Sequence, residues 1–258
     1  MGVLNVTPDS FSDGGRYRAC DLAVARGMEM IEQGAAIIDV GGESTRPGAT
    51  PVALAEELER VIPVIEGLAG TAVVISIDTS KPAVMQAAVA AGAGLINDVR
   101  ALCQPGALEA AAALPAAICL MHMQGDPGSM QRNPTYSDVV TEVNAFLQRR
   151  VQACRVAGIP DNRLLLDPGF GFGKTIKHNL ELLRRLPELA ALGLPVLVGL
   201  SRKSLIGALT SRGVADRDAA SIALAVLAVQ RGARIVRAHD VAGTVDALRV
   251  LSSVEAGG

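Results

Sequence analysis

Tryptophan is absent from this 258-residue chain, and aromatic residues make up only 2% of it. With half the residues hydrophobic, the core has to be assembled from Ala, Val, Leu and Ile, the mixture expected of buried parallel strands under Ala-rich helices. Cysteine is scarce as well: Cys20, Cys103, Cys119 and Cys154 are scattered, with no CxxC pair. That spacing argues against a disulfide scaffold and suits reduced thiols in a cytoplasmic protein. The basic residues do not run together, and the net charge is −2. Nucleic acid is therefore not an expected partner, since phosphate backbones need a concentrated basic face. Apolar runs such as Ile222 to Val229 fall far short of the ~20 residues that span a bilayer, and no secretory leader opens the chain, so no membrane partner is expected.

What is present is a repeat. Short aliphatic runs recur at Met1–Leu4, Ile37–Val40, Val73–Ile77, Leu95–Ile96, Ala117–Met121, Leu164–Leu166, Pro195–Leu200 and Ile235–Val236. They are short and mostly non-alternating, as strands covered on both faces should be. Between them lie segments of helical spacing, among them Leu54–Ile65, Pro82–Ala91, Asp138–Ala157, Asn179–Leu192, Ala219–Gln230 and Val241–Ser252. Pro82 suits a first helical position with Ser80 as its cap. Gly34, Gly92, Gly158 and Gly232 stand where helices end and strands begin. Eight strand–helix units without a linker or a shift in composition predict an α/β fold, a single-domain (β/α)8 TIM barrel over residues 1–258, with a doubly wound sheet as the rival.

A barrel places its chemistry where strands stop and loops begin. Polar residues stand at all eight such points: Asn5, then Gly41 to Arg46, Asp78, Asn97-Asp98, Met121-His122-Met123, Asp167, Ser201-Arg202-Lys203, and Arg237 with His239. Asp39 lies inside the second strand pattern and reads as a brace. Acids and amides gather at strands 3, 4 and 6 and bases at strands 7 and 8, where this fold commonly holds phosphate. A carboxylate accepts two parallel bonds from an amino-pyrimidinone edge as it does from guanidinium. The pattern thus suits a flat nitrogen heterocycle opposite a diphosphate held by Lys203, Arg237 and His239. Asn5 offers an oxygen ligand for one Mg2+, with water and phosphate completing the shell. His122 and His178 lack metal-ligand spacing. The stretch PGFGFGKT, residues 168–175, is neither a P-loop nor a GxGxxG turn, because Pro168 and Lys174 stand where glycines are required. It reads as a flexible loop presenting Phe172. Phe11, Phe170 and Phe172 all fall in loops at the mouth, which suits stacking on a planar ligand.

The motifs GVLNVTPDSFSDGG, DVGGESTRPGA, SIDTSKP, INDVR, MHMQG, LLLDPGFGFGK, VGLSRKS and RAHDV together resemble the dihydropteroate synthase family of folate biosynthesis, in the right order and nearly from end to end. The resemblance implies condensation of 6-hydroxymethyl-7,8-dihydropterin diphosphate with 4-aminobenzoate and release of diphosphate. It implies pterin contacts at Asp78, Asn97, Met121, Asp167 and Lys203, and diphosphate contacts at Thr45, Arg46, Arg237 and His239. Aminobenzoate contacts are implied at Phe11, Pro47, Phe172 and Ser201, and Mg2+ at Asn5. Lys203, Arg237, His239 and Asp78 are the implied catalytic set. The Gly-rich opening loop carrying Phe11 is expected to act as a mobile lid. A cytoplasmic homodimer, sensitivity to sulfonamides, and the lack of a hairpin that usually precedes the first strand are further expectations. Two other functions share the pterin pocket: a methyltetrahydropterin-dependent methyltransferase, against which the cationic cluster argues, and a non-catalytic pterin-binding module.

Overall fold

Eight short strands alternate with helices along the chain, and each strand pairs in parallel with the next one in sequence. In the computed structural model, which describes residues 1–6, 15–44, 50–126 and 128–256, the strands are β1 (Gly2–Asn5), β2 (Ile37–Gly41), β3 (Val74–Asp78), β4 (Leu95–Asp98), β5 (Ala117–Met121), β6 (Leu164–Asp167), β7 (Val196–Val198) and β8 (Ala233–Val236). Helices α1 (Gly15–Glu32), α2 (Leu54–Leu68), α3 (Pro82–Ala90), α4 (Ala107–Ala113) and α5 (Val139–Val156) follow the first five strands. The remaining helices are α6 (Ile176–Arg184), α7 (Leu186–Ala190), α8 (Ser204–Thr210), α9 (Asp218–Val229) and α10 (Val241–Glu255). The sheet order is β1-β2-β3-β4-β5-β6-β7-β8, which excludes a doubly wound sheet, whose order must reverse at a switch point. The sheet curls until the chain just past β8 comes back to β1: Val3 N donates to Ala238 O at 3.1 Å and Ala238 N to Met1 O at 2.9 Å.

Alternation along each strand sends successive side chains to opposite faces of the sheet. Ile38, Val40, Ile75, Ile77, Ile96, Ile118, Leu164, Leu166, Val196 and Val198 join the large core cluster shared with the helices. The other phase forms a separate small cluster, Leu95, Cys119 and Leu197 with Met1, Ile37, Ala117, Leu165 and Ile235 packed against it. Following that phase toward the strand ends leads to Asn5, Asp39, Asp78, Asn97, Met121, Asp167 and Arg237. The concave face is therefore apolar at the amino ends of the strands and polar at the carboxyl ends. This positions the site.

Local signals behave as their chemistry requires, with two exceptions. Gly34, Gly92, Gly158 and Gly232 have φ of 95°, 118°, 84° and 99°, the left-handed geometry of a helix stop. The single helix expected over 179–192 is two: α6 starts earlier, under a capping box made by Thr175 and His178, and the chain breaks at Arg185 before Pro187 opens α7. Proline has no backbone N–H, so the i→i−4 ladder cannot run through Pro187, which suits the first turn of a new helix instead. Ser80 does not cap α3. The N-cap is Lys81 without a side-chain bond, and the Ser80 hydroxyl donates to the buried Asp98 carboxylate instead, which offers a stronger, charged acceptor.

Candidate active site

Strand register sets the first row of the site. Asn5 pairs with Gly41, Gly41 with Asp78 and Asp78 with Asn97, so the ends of β1 to β4 line up. Asn5 Oδ1 and Asp78 Oδ2 both face Gly41: each lies 3.8 Å from the point where a Cβ there would stand. Two residues deeper in β2, Asp39 is fully buried and organises what lies above it. It accepts from Ser76 Oγ at 2.6 Å, from Asn97 Nδ2 at 3.1 Å and from Arg237 Nε at 2.6 Å. Arg237 Nη2 donates to Asp78 Oδ2 at 3.0 Å. Asp39 is thus the brace its place in the strand suggested, and it fixes the amide orientation of Asn97 with Oδ1 left as an acceptor.

The electrostatics follow from burial. The Asp78 carboxyl is pushed up, first by burial and then by the neighbouring Asp39 charge, while Arg237 pulls it back. Burial also raises Asp167, against Lys203 and a bond from Gly169 N to its Oδ1. Lys203 is pulled down to about 8 by burial, with Asp167 opposing. For Arg237 burial acts downward, but the Asp39 and Asp78 charges outweigh it and hold the guanidinium firmly protonated. Lys203 and Arg237 flank Gly199: a Cβ there would lie 3.7 Å from Lys203 Nζ and 4.0 Å from Arg237 Cβ. Acids and cations therefore share one mouth.

The remaining candidates close around it. Met121 is buried and pairs in register with Asp167. Ser201 Oγ lies 3.0 Å from His239 Nδ1, joining the loops after β7 and β8. Arg202 takes a left-handed φ of 59°, held by its bonds to Asp218 and by Ser221 Oγ accepting from its backbone N–H; this turn carries Ser201 and Lys203 on either side. Lys203 donates to the Phe170 carbonyl and sits 4.6 Å over the Phe172 ring, a cation–π distance. Thr45, Arg46, Pro47 and Phe11, with the rest of the opening loop, lie outside the described residues.

Two expectations about the 168–175 loop are corrected. Phe170 is 1% exposed and belongs to the core, so of the two phenylalanines in this loop only Phe172 is offered to the mouth. Nor is the loop loosely held. Asn179 Oδ1 accepts from Gly171 N at 2.7 Å, Tyr136 donates to Gly173 O at 2.8 Å, and Lys174 is buried beneath it. Gly169, Gly171 and Gly173 take φ of 68°, 81° and 62°, coiling the backbone so that its carbonyls meet Tyr136 and Lys174 and its Gly171 N–H meets Asn179. Glycine richness alone reads as looseness; the tethers are Tyr136, 37 positions away, Asn179 in the helix that follows, and the loop's own Lys174. Sequence reasoning also passed over a cavity of about 530 Å3 beside Asp78, lined by Glu43, Lys81, Val99 and Arg100 among others. Its polar floor is Glu57, fully buried, which bonds Thr79 and Lys81.

The family model described as pterin binding enzyme matches residues 1–239. The dihydropteroate synthase of Escherichia coli (strain K12) is 54% identical over 254 residues, 98% of this chain and 90% of that protein. The chain belongs to the dihydropteroate synthase family. Solved members of this family have the same fold. A Yersinia pestis dihydropteroate synthase in complex with a sulfonamide drug superimposes with a TM-score of 0.95 at 52% identity, covering 100% of this chain and 94% of that one. A Xanthomonas albilineans dihydropteroate synthase with 4-aminobenzoic acid gives 0.94 at 57% identity, covering 100% and 93%. Like other members of the dihydropteroate synthase family, this chain is an enzyme, a transferase of the folate pathway.

Proposed function

We propose that this chain joins 6-hydroxymethyl-7,8-dihydropterin diphosphate to 4-aminobenzoate, giving 7,8-dihydropteroate and diphosphate, within a closed (β/α)8 barrel that forms one domain. The observation that carries the reading is the mouth in which Asp78, Asn97 and Asp167 stand opposite Lys203 and Arg237. The carboxylates and the free Oδ1 of Asn97 suit the N–H edge of the pterin, with Met121 against its ring and Lys203 beside it. Arg237 has two of its nitrogens committed to Asp39 and Asp78. Its remaining N–H groups, with His239, Thr45 and Arg46, suit the diphosphate. Phe172, Ser201, Phe11 and Pro47 suit aminobenzoate. Closure of the barrel is supported by the bonds between Met1, Val3 and Ala238.

The chemistry asks little of the nucleophile. The C–O bond between the methylene and the diphosphate breaks while the amine nitrogen bonds to the same carbon, and the amine then releases a proton. An aromatic amine is already neutral near pH 7, and the electron-rich pterin stabilises the developing cation. Catalysis rests on fixed cations around the departing diphosphate and on excluding water. Asn5 fits as a single neutral oxygen ligand for Mg2+: it ends β1 beside Asp78, whose Oδ2 already accepts from Arg237. Such an ion keeps several waters and binds largely through substrate phosphates. When bound, it would neutralise charge on the leaving group.

The cations at β7 and β8 argue against methyl transfer from a methylated tetrahydropterin, which has no diphosphate to hold, and no relative named above supports it or a non-catalytic module. A cytoplasmic homodimer completes the reading. It is supported by four free thiols and by apolar surface at Leu227, Val250 and Val254 on α9 and α10; among the described residues no helix is long and apolar enough to cross a membrane. The deciding experiment is steady-state diphosphate release. The reading requires release that depends on both substrates and on Mg2+; release without aminobenzoate, or none with both present, refutes it.

A further inference from the structure

We propose that Lys174 is a positioning residue, whose buried amino group fastens the loop after β6 so that the Phe172 ring and the Phe170 carbonyl are held against Lys203. The inference rests on the reading of Phe172 as an aminobenzoate contact. Lys174 is 3% exposed, and among the described residues no carboxylate forms an ion pair with it. Burial pushes Lys174 well down from its ordinary pKa, and burying such a head group without a counterion costs several kcal/mol unless its hydrogens are fully used. Here they are: Nζ donates to Gly169 O at 2.9 Å, Phe172 O at 3.0 Å and His122 O at 3.3 Å, and lies 2.9 Å from His122 Nδ1. Two of these acceptors belong to the loop itself and two to the end of β5, so the one amino group ties the loop to the sheet.

The other tethers converge on the same stretch. Asn179, 4% exposed, takes the Gly171 N–H and donates to Thr175 O at 2.7 Å. Tyr136 holds Gly173 O. On its far side the loop meets Lys203 twice, through the Phe170 carbonyl and the Phe172 ring. Replacing this head group with an apolar one would take a donor from His122 O and Phe172 O and leave Gly169 O only the Phe172 N–H, and the loop would shift to find water. Lys174 itself stays below the mouth, so the loss falls on what the loop presents. Of the pterin contacts, Asp78, Asn97 and Met121 stand on β3, β4 and β5; Asp167 and Lys203 touch the loop but keep their own backbone positions in β6 and in the turn after β7, so the pterin side loses less than the aminobenzoate side.

The test is a set of variants in the full chain, with KM for 4-aminobenzoate and Kd for the pterin diphosphate as readouts. Lys174→Met is expected to raise that KM about tenfold, and Tyr136→Phe about two- to threefold, each with the pterin diphosphate Kd within about twofold of wild type. Phe172→Ala should raise the KM as well, and adding Lys174→Met to it should cost little more, because both act through one ring. Tyr136→Phe removes a single hydroxyl and decides by the same split should Lys174→Met not fold. Equal weakening of both substrates, an unchanged KM, or additive losses in the double variant would overturn the inference alone. An unchanged KM in Phe172→Ala would instead refute the role of Phe172, and the inference with it.

Discussion

His122 offers a test of buried electrostatics away from the reacting groups. It is 6% exposed, and its ring is pushed down from 6.5 to about 3, chiefly by burial and then by the Lys174 charge. Between those two values the native state holds His122 neutral while the unfolded chain binds a proton. The unfolded state therefore binds more protons, and stability must fall as pH drops through this window. Each pH unit is worth about 1.4 kcal/mol, so moving from about pH 7 to about pH 5 removes about 2 kcal/mol through this one group. His122→Asn, which keeps an acceptor for Lys174 but no titrating ring, isolates the contribution. Urea unfolding at both pH values should show the wild type losing about 2 kcal/mol more than the variant. Titrating groups out of contact with His122 are shared and cancel in the difference. Equal losses in the two proteins would refute the claim that His122 stays neutral in a dry site.

Four other outcomes are expected. Asp39→Ala strands the Arg237 guanidinium at the root of the mouth, and denaturant unfolding should register a loss of about 3–5 kcal/mol; a change below about 1 kcal/mol would show that Asp78 alone satisfies it. In Gly169→Ala the new methyl collides with the His122 carbonyl oxygen at a φ of +68°, so thermal unfolding should show a loss of well over about 2 kcal/mol. Chelation with EDTA should stop diphosphate release and added Mg2+ restore it; turnover indifferent to chelator would remove the metal role from Asn5. Sulfonamides should inhibit competitively with 4-aminobenzoate, since the sequence carries the ordinary STRPG and GFGFGK loops; unchanged turnover at saturating drug would overturn this.

Much of this could be read from the chain directly. The strand patterns matched the observed strands to within a few residues, because each is a short aliphatic run closed by a polar residue. The glycines at 34, 92, 158 and 232 marked helix ends because their left-handed geometry is a local requirement. Errors arose where a residue has more than one partner to choose from. Ser80 reaches Asp98 rather than the start of α3, and Phe170 sinks into the core while Phe172, two residues on, meets Lys203. Lys174 was legible only as a mismatch to a nucleotide loop, since nothing in its neighbours announces that it is buried.

The sequence by itself determined the repeating strand–helix unit, the polar ends of the strands and the family, because periodicity, turn chemistry and motif order are properties of neighbours along the chain. Only the tertiary structure decided which of those polar groups meet. Arg237 reaches Asp39 across 198 positions and Asp78 across 159, and Lys174 reaches His122 across 52. Such pairings arise from the curl and register of the sheet, which bring distant strand ends together and remove the water that would otherwise keep each charge separate.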